Sequence, residues 1–245
     1  MEPILEGQQT PSKHSPDLQI SPGVHVRYHG EFQVSKDPII PIPFTFTPKH
    51  VTETFVSRSV HEQALKHYRV YCDDFILVSG SLEHPEKVFL VIRSEEPLKG
   101  ALWPIGGRAV NCPSNESSLS ELWNKCPLDA SLLLSIYRES KLQPADINQI
   151  RNLGYFDIVF QNPDNPDLFN RDHPAGIHAV WVKDEAISGM DLSGAMVEGG
   201  SWYSNDEIEA LYKQGKILPH VKLATDAIFQ SRFVKPNLNL SDYSI

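Results

Sequence analysis

The sequence predicts an α/β fold, and three observations carry that prediction. Runs rich in β-branched and aromatic residues, such as FILVSG and KVFLVIRS, are bounded by turn residues. Between and after them lie segments with helical spacing of apolar side chains, the clearest over residues 128–142. A chain of 245 residues with 40% hydrophobic content can bury a core of ordinary size. One domain with extensions is the expected organisation.

Residues 1–50 read as an extended N-terminal arm. The first twenty are polar, with prolines and no apolar core of a signal peptide. ISPGVHVRYHGEFQV has extended character. Pro38, Pro41 and Pro43 exclude a central strand, because proline lacks the ladder donor. Residues 51–235 form the main domain, and 236–245 a tail. A helix is expected over Glu53–His67, with Phe55, Val56, Val60, Ala64 and Leu65 as its apolar stripe.

YRVYCDDFILVSG (68–80) reads as one strand, or as two meeting near Asp73. After the break SLEHPE, KVFLVIRS completes a hairpin. In LKGALWPIGGRAV (98–110), the pair Gly106–Gly107 after Pro104 marks a sharp turn. Residues 111–127 are polar, with a short helix around Ser118–Trp123. The helix over Leu128–Leu142 starts at Pro127 and Asp129 and stops before Pro144. GYFDIVFQ and IHAVWVK are strands on either side of a long loop, residues 162–176. Ser204 and Glu207 stand three apart, as in a capping box. Ile208, Leu211 and Tyr212 then line one helix face, and PHVKLATDAIFQSRF closes the body.

The net charge of −9 argues against a surface for nucleic-acid polymers or anionic membranes, which needs clustered Lys and Arg. It leaves room for one nucleotide in a locally positive cleft. Cys72, Cys112 and Cys126 form no C-x-x-C pair, so structural free thiols are expected rather than disulfides or zinc. No apolar run is long enough to span a bilayer. A soluble, cytoplasmic protein is the expectation, with a homodimer as one possible assembly.

The order of elements, with LKGALWPIGGR (98–108), the helix 128–142 and EGGSWYSNDEIEAL (198–211), resembles the Nudix hydrolase superfamily over residues 68–230. Within it the glycine-turn pattern is most similar to GDP-mannose mannosyl hydrolases. The resemblance implies an α/β/α sandwich with a mixed sheet. It also implies a hydrolase of a nucleoside diphosphate linked to another group, such as a nucleotide sugar. The family helix carries R-E-x-x-E-E-x-G. Matched to it, Glu139 takes the last glutamate, Arg138 the preceding one, Ser135 the first, Leu134 the arginine and Lys141 the glycine. Three of four charged positions are replaced.

Diphosphate hydrolysis uses divalent cations to neutralise phosphate and acidify water. The resemblance therefore implies weakly held magnesium, or manganese, at Glu139 and the Gly107 carbonyl. The expected catalytic residues are Glu139 with Glu198 or His173 for the attacking water, while Arg108 or Arg138 meets phosphate and Trp103 lies on the ligand. The lost acids keep a second function open: a catalytically inactive ligand-binding, regulatory or scaffold protein. Each residue also has a plain structural reading. The glycines can be a tight turn, Glu139 a solvent-facing helix acid, Glu198 an acid of a loop over 197–201, His173 a surface histidine, Asp172 a loop cap, and Trp103 and Trp202 packing.

Overall fold

The computed structural model describes residues 18–21, 24–29, 71–94, 99–108, 127–160, 171–193, 195 and 197–230. The architecture is α/β, as expected, with a mixed sheet and flanking helices consistent with a Nudix-type fold. The expected helix over 53–67, the prolines at 38–43, the segment 111–126 with Glu116 and Glu121, and the tail lie outside the described residues.

Nine strands of the described residues form one sheet. They are β1 (Leu18–Ser21), β2 (Val24–His29), β3 (Cys72–Gly80), β4 (Pro85–Arg93), β5 (Leu102–Trp103), β6 (Ile105–Arg108), β7 (Ile147–Phe160), β8 (Arg171–Val182) and β9 (Val197–Tyr203). Their order is β1-β2-β7-β8-β3-β4-β5, with β6 also pairing β3 and β9 pairing β4. Only β3 and β8 run parallel; the other pairs are antiparallel. β2 joins the body by pairing with β7, so residues 24–29 are part of the main sheet.

β3 is the centre of the arrangement. On one side it meets β8 from Cys72 to Val78. On the other its first half meets β6 and its second half meets β4. A strand enclosed in this way is apolar along its length, and Phe75, Ile76, Leu77 and Val78 are fully buried. Asp73 and Asp74 are the exceptions, and they sit where β6 begins to pair.

Helices cover both faces. Helix α1 (Pro127–Ser140) starts at a proline, which needs no intrahelical donor there. It packs on the face that carries Asp73, to which Ser131 bonds. A short helix α2 (Asp184–Ile187) follows β8. Helix α3 (Asn205–Lys213) begins at the expected capping box, with Ser204 accepting from the Glu207 amide and Glu207 from the Ser204 amide. Helix α4 (Pro219–Phe229) covers the opposite face, where His220 meets Trp103 and Phe156.

Three expectations change. Gly106 and Gly107 are not a sharp turn: they lie in β6, opposite Asp74 and Asp73, and the missing Cβ atoms serve close approach rather than a left-handed backbone. The left-handed residue of this stretch is Gly100, at φ +83°, whose amide donates to the Arg93 carbonyl. Of the two readings of 68–80, the described part is the single strand: β3 runs unbroken through Asp73 and Asp74. The loop expected over 162–176 ends sooner, because β8 begins at Arg171. Pro174 is tolerated there because β3 starts to pair only at the next residue, Ala175, leaving that side of Pro174 without a ladder. Residues 197–201 are likewise strand, in β9, rather than loop.

Candidate functional site

The site is built where β6 crosses the start of β3 under the last turn of α1. In β6, Gly107 lies opposite Asp73, and on the other side of β3 Gly176 does the same. Paired residues share a sheet face. Asp73 therefore points to the α1 side between two glycines. Both glycines are narrow for a reason. A Cβ on Gly107 would stand 2.8 Å from Arg138 Nη2 and 3.3 Å from Glu139 Oε1. A Cβ on Gly176 would collide with the Tyr71 hydroxyl and stand 3.2 Å from His178 Nε2.

Glu139 is buried at the end of α1. Its Oε1 accepts from Arg138 Nε at 2.6 Å, and Arg138 Nη2 reaches the Arg108 carbonyl oxygen at 3.4 Å. Burial raises the Glu139 carboxyl above the usual range, while the Arg138 charge and bond, and Lys141, pull against the rise. Asp73 is also raised, first by burial. Hydrogen bonds from Ser131 Oγ, at 2.9 Å, and from Tyr71, with the Arg138 charge, oppose that. His178 Nε2 stands 3.9 Å from Asp73 Oδ1, too far for a hydrogen bond. Burial depresses its pKa to about 4, so the ring is neutral near pH 7.

Asp74 points to the other face, beside Gly106. Burial lifts it to about 7, against the attraction of Arg93 and a hydrogen bond from Trp103. Trp103 is 8% exposed, with Arg93 over its ring at 5.3 Å and His220 at its edge. At the end of β6 lies Arg108, opposite Cys72. Its pKa is lowered by burial and by the nearby Arg138 charge.

The structure thus brings together Gly107, Glu139, Arg138 and Arg108. Trp103 lies on the Asp74 face. Glu198 stands in β9, two strands from β3, half exposed and 3.8 Å from Lys99. His173 occupies β8 opposite Ile158, and its side chain is outside the described residues. Sequence reasoning missed Asp73, Asp74, Tyr71, Ser131 and His178. The one signal for them was an adjacent pair of acids opening an otherwise apolar strand. Among the described residues, no group of three or more His, Cys, Asp or Glu side chains is placed to hold a metal ion. Nor is any described helix long and apolar enough to cross a membrane.

No protein-family model matches the chain. No curated protein matches it either. Among solved structures it is similar to the NUDIX domain of Shewanella oneidensis NrtR complexed with ADP ribose, at 15% identity and TM-score 0.43, over 77% of this chain and 100% of that one. It is also similar to a NUDIX hydrolase from Alicyclobacillus acidocaldarius, at 12% identity and TM-score 0.45, over 66% and 92%. A third likeness is to Ap4A hydrolase from C. elegans, at 10% identity and TM-score 0.38, over 69% and 100%.

Proposed function

We propose that the chain is a Nudix-type ligand-binding protein. It takes a nucleoside diphosphate joined to a second group beside the Gly106–Gly107 strand and does not hydrolyse it rapidly. The observation that carries this reading is the Arg138–Glu139 ion pair, at 2.6 Å. The glutamate retained from the family pattern is neutralised within its own helix, and Ser135 and Leu134 hold the positions where the pattern has charge. Such a site lacks the concentrated negative field that grips cations during diphosphate cleavage. Arg108 and Arg138 repel each other: burial lowers the Arg108 pKa first, and the Arg138 charge adds to that. A phosphate near both relieves that repulsion, and guanidinium forks match phosphate geometry.

A second reading is slow hydrolysis of a nucleotide sugar, with Glu198 or His173 handling the water. It is favoured by Asp73, which adds a second buried carboxylate at Gly107. One experiment separates the two. Binding and turnover are measured apart, on one preparation, with ADP-ribose, GDP-mannose and a dinucleoside polyphosphate, with and without magnesium. The first reading expects saturable binding and no product. Slow release from the sugar nucleotide alone selects the second. Rapid hydrolysis of all three ligands would remove both.

A further inference from the structure

The divalent cation that the family resemblance implies can be tested against the donors present. Magnesium asks for near-octahedral oxygen ligands and is usually held by more than one acidic or carbonyl oxygen. At Gly107 the helix offers one carboxylate, Glu139, and its Oε1 is already taken by Arg138 Nε. Ser135, one turn earlier, is fully buried, and its hydroxyl has no hydrogen-bond partner among the described residues. A hydroxyl is no substitute for the missing anion. Asp73, opposite Gly107, is a second buried carboxylate, and it already accepts from Ser131 Oγ and Tyr71. Among the described residues no group of three or more His, Cys, Asp or Glu is placed to hold a metal, so the described donors do not fit it.

They do fit a guanidinium. Arg138 joins two groups by its fork, the Glu139 carboxylate at 2.6 Å and the Arg108 carbonyl at 3.4 Å, and its Nη2 lies over the space a Cβ of Gly107 would enter. A Cβ at Gly107 would stand 2.8 Å from Nη2, so either it or the guanidinium held by Glu139 and the Arg108 carbonyl would have to shift. The charge also reaches Asp73, whose carboxyl it pulls down. A positive group thus lies against one carboxylate and a strand carbonyl, with its charge felt by a second carboxylate, Asp73. These are the kinds of oxygen a metal would otherwise gather.

We propose that the Arg138 guanidinium is the resident cation of this site, that Gly107 is glycine in order to seat it, and that the site assembles and takes its ligand without a divalent metal. The ligand half rests on the function proposed above; the cation half rests on the geometry alone.

The test uses the full chain and has three arms. In the first, denaturation midpoints are measured for wild type, Gly107→Ala, Arg138→Ala and the double variant. Gly107→Ala is expected to lower the midpoint in wild type, and by less than half as much once Arg138 is gone. An equal loss in both backgrounds overturns the seating. In the second, manganese is titrated by electron paramagnetic resonance into wild type and Glu139→Gln. No Glu139-dependent binding at millimolar manganese is expected. Binding that Glu139→Gln abolishes overturns the proposal, and this arm decides alone if Arg138→Ala does not fold. In the third, ADP-ribose is titrated in EDTA and in magnesium. Equal affinity supports the proposal, and binding only in magnesium overturns it. Absence of binding in both buffers sinks the ligand reading, while the first two arms still decide the cation.

Discussion

Gly106 faces Asp74 across β6 and β3 so closely that a Cβ would stand 2.6 Å from both the Asp73 carbonyl oxygen and the Asp74 Cα, and would strike the Asp74 carboxylate. Two of these are backbone atoms, which cannot swing aside. Gly106→Ala is therefore expected to force β6 away from β3, at about 1–3 kcal/mol. Gly100→Ala is the control. Nothing lies near its Cβ, but its φ of +83° strains any side chain. It should cost about 1–2 kcal/mol while leaving the β3–β6 pairing intact. Amide exchange at residues 72–75 separates the two. Protection there should fall in Gly106→Ala and persist in Gly100→Ala.

Lys141 closes α1 with φ +60°, the only described non-glycine residue with positive φ. Its amide donates to the Tyr137 carbonyl, and its ammonium to the Arg138 carbonyl at 3.1 Å. A left-handed residue after a helix is usually glycine, which adopts it without strain. Lys141→Gly should relieve the backbone, and Lys141→Ala should lose the ammonium contact without relief. The glycine variant is expected to be the more stable of the two by about 1 kcal/mol, read from chemical denaturation. Equal midpoints would mean that Lys141 carries no strain.

These positions also show what a linear reading could reach. Helix α1 and the Ser204–Glu207 cap were legible because their signals are local: apolar spacing, Pro127, and a side chain bonding three residues away. The hairpin of β3 and β4 was legible for the same reason. Gly106 and Gly107 were misjudged because a glycine pair looks alike whether it frees a backbone or clears space. What needs the space, Asp74 and Arg138, comes from distant parts of the chain. Asp73 escaped notice because Ser131 reaches it from α1 and His178 from β8, both far along the chain, while Tyr71 alone gives no local signal. Trp103 lacked a local signal to place it on the Asp74 face rather than beside Gly107.

Asp74 should give stability a pH dependence of its own. Its unfolded pKa is near 3.8, and burial lifts the folded value to about 7. Between these values the folded chain holds a proton that the unfolded chain has released. The contribution is fully present below about 4 and is lost as pH rises toward 7. Asp74→Asn keeps an uncharged polar group and removes that titration. The variant should therefore gain on wild type between pH 5 and pH 8, as read from unfolding free energies at the two values. A constant difference would show that Asp74 is charged throughout.

His220 and His178 act in the opposite sense. His220 is fully buried on α4, its ring 4.9 Å from that of Trp103 and 5.9 Å from that of Phe156. Neither of its ring nitrogens has a hydrogen-bond partner among the described residues. Burial depresses its pKa to about 3, and that of His178 to about 4. The unfolded chain binds these protons near pH 6.5 and the folded chain does not. Stability contributed by the neutral rings is thus complete above 6.5 and falls as pH drops toward the two folded values. Each such proton contributes a slope of at most about 1.4 kcal/mol per pH unit. His220→Phe keeps a ring against Trp103 and Phe156 and cannot be protonated. Between pH 6 and pH 4.5 its unfolding free energy should fall less steeply than that of wild type, by up to one proton's slope. The remaining acid sensitivity belongs in part to His178, and His178→Asn in the same background should reduce it again. Parallel slopes for wild type and His220→Phe would mean that the buried ring is already protonated in the folded state, with an acceptor beside it.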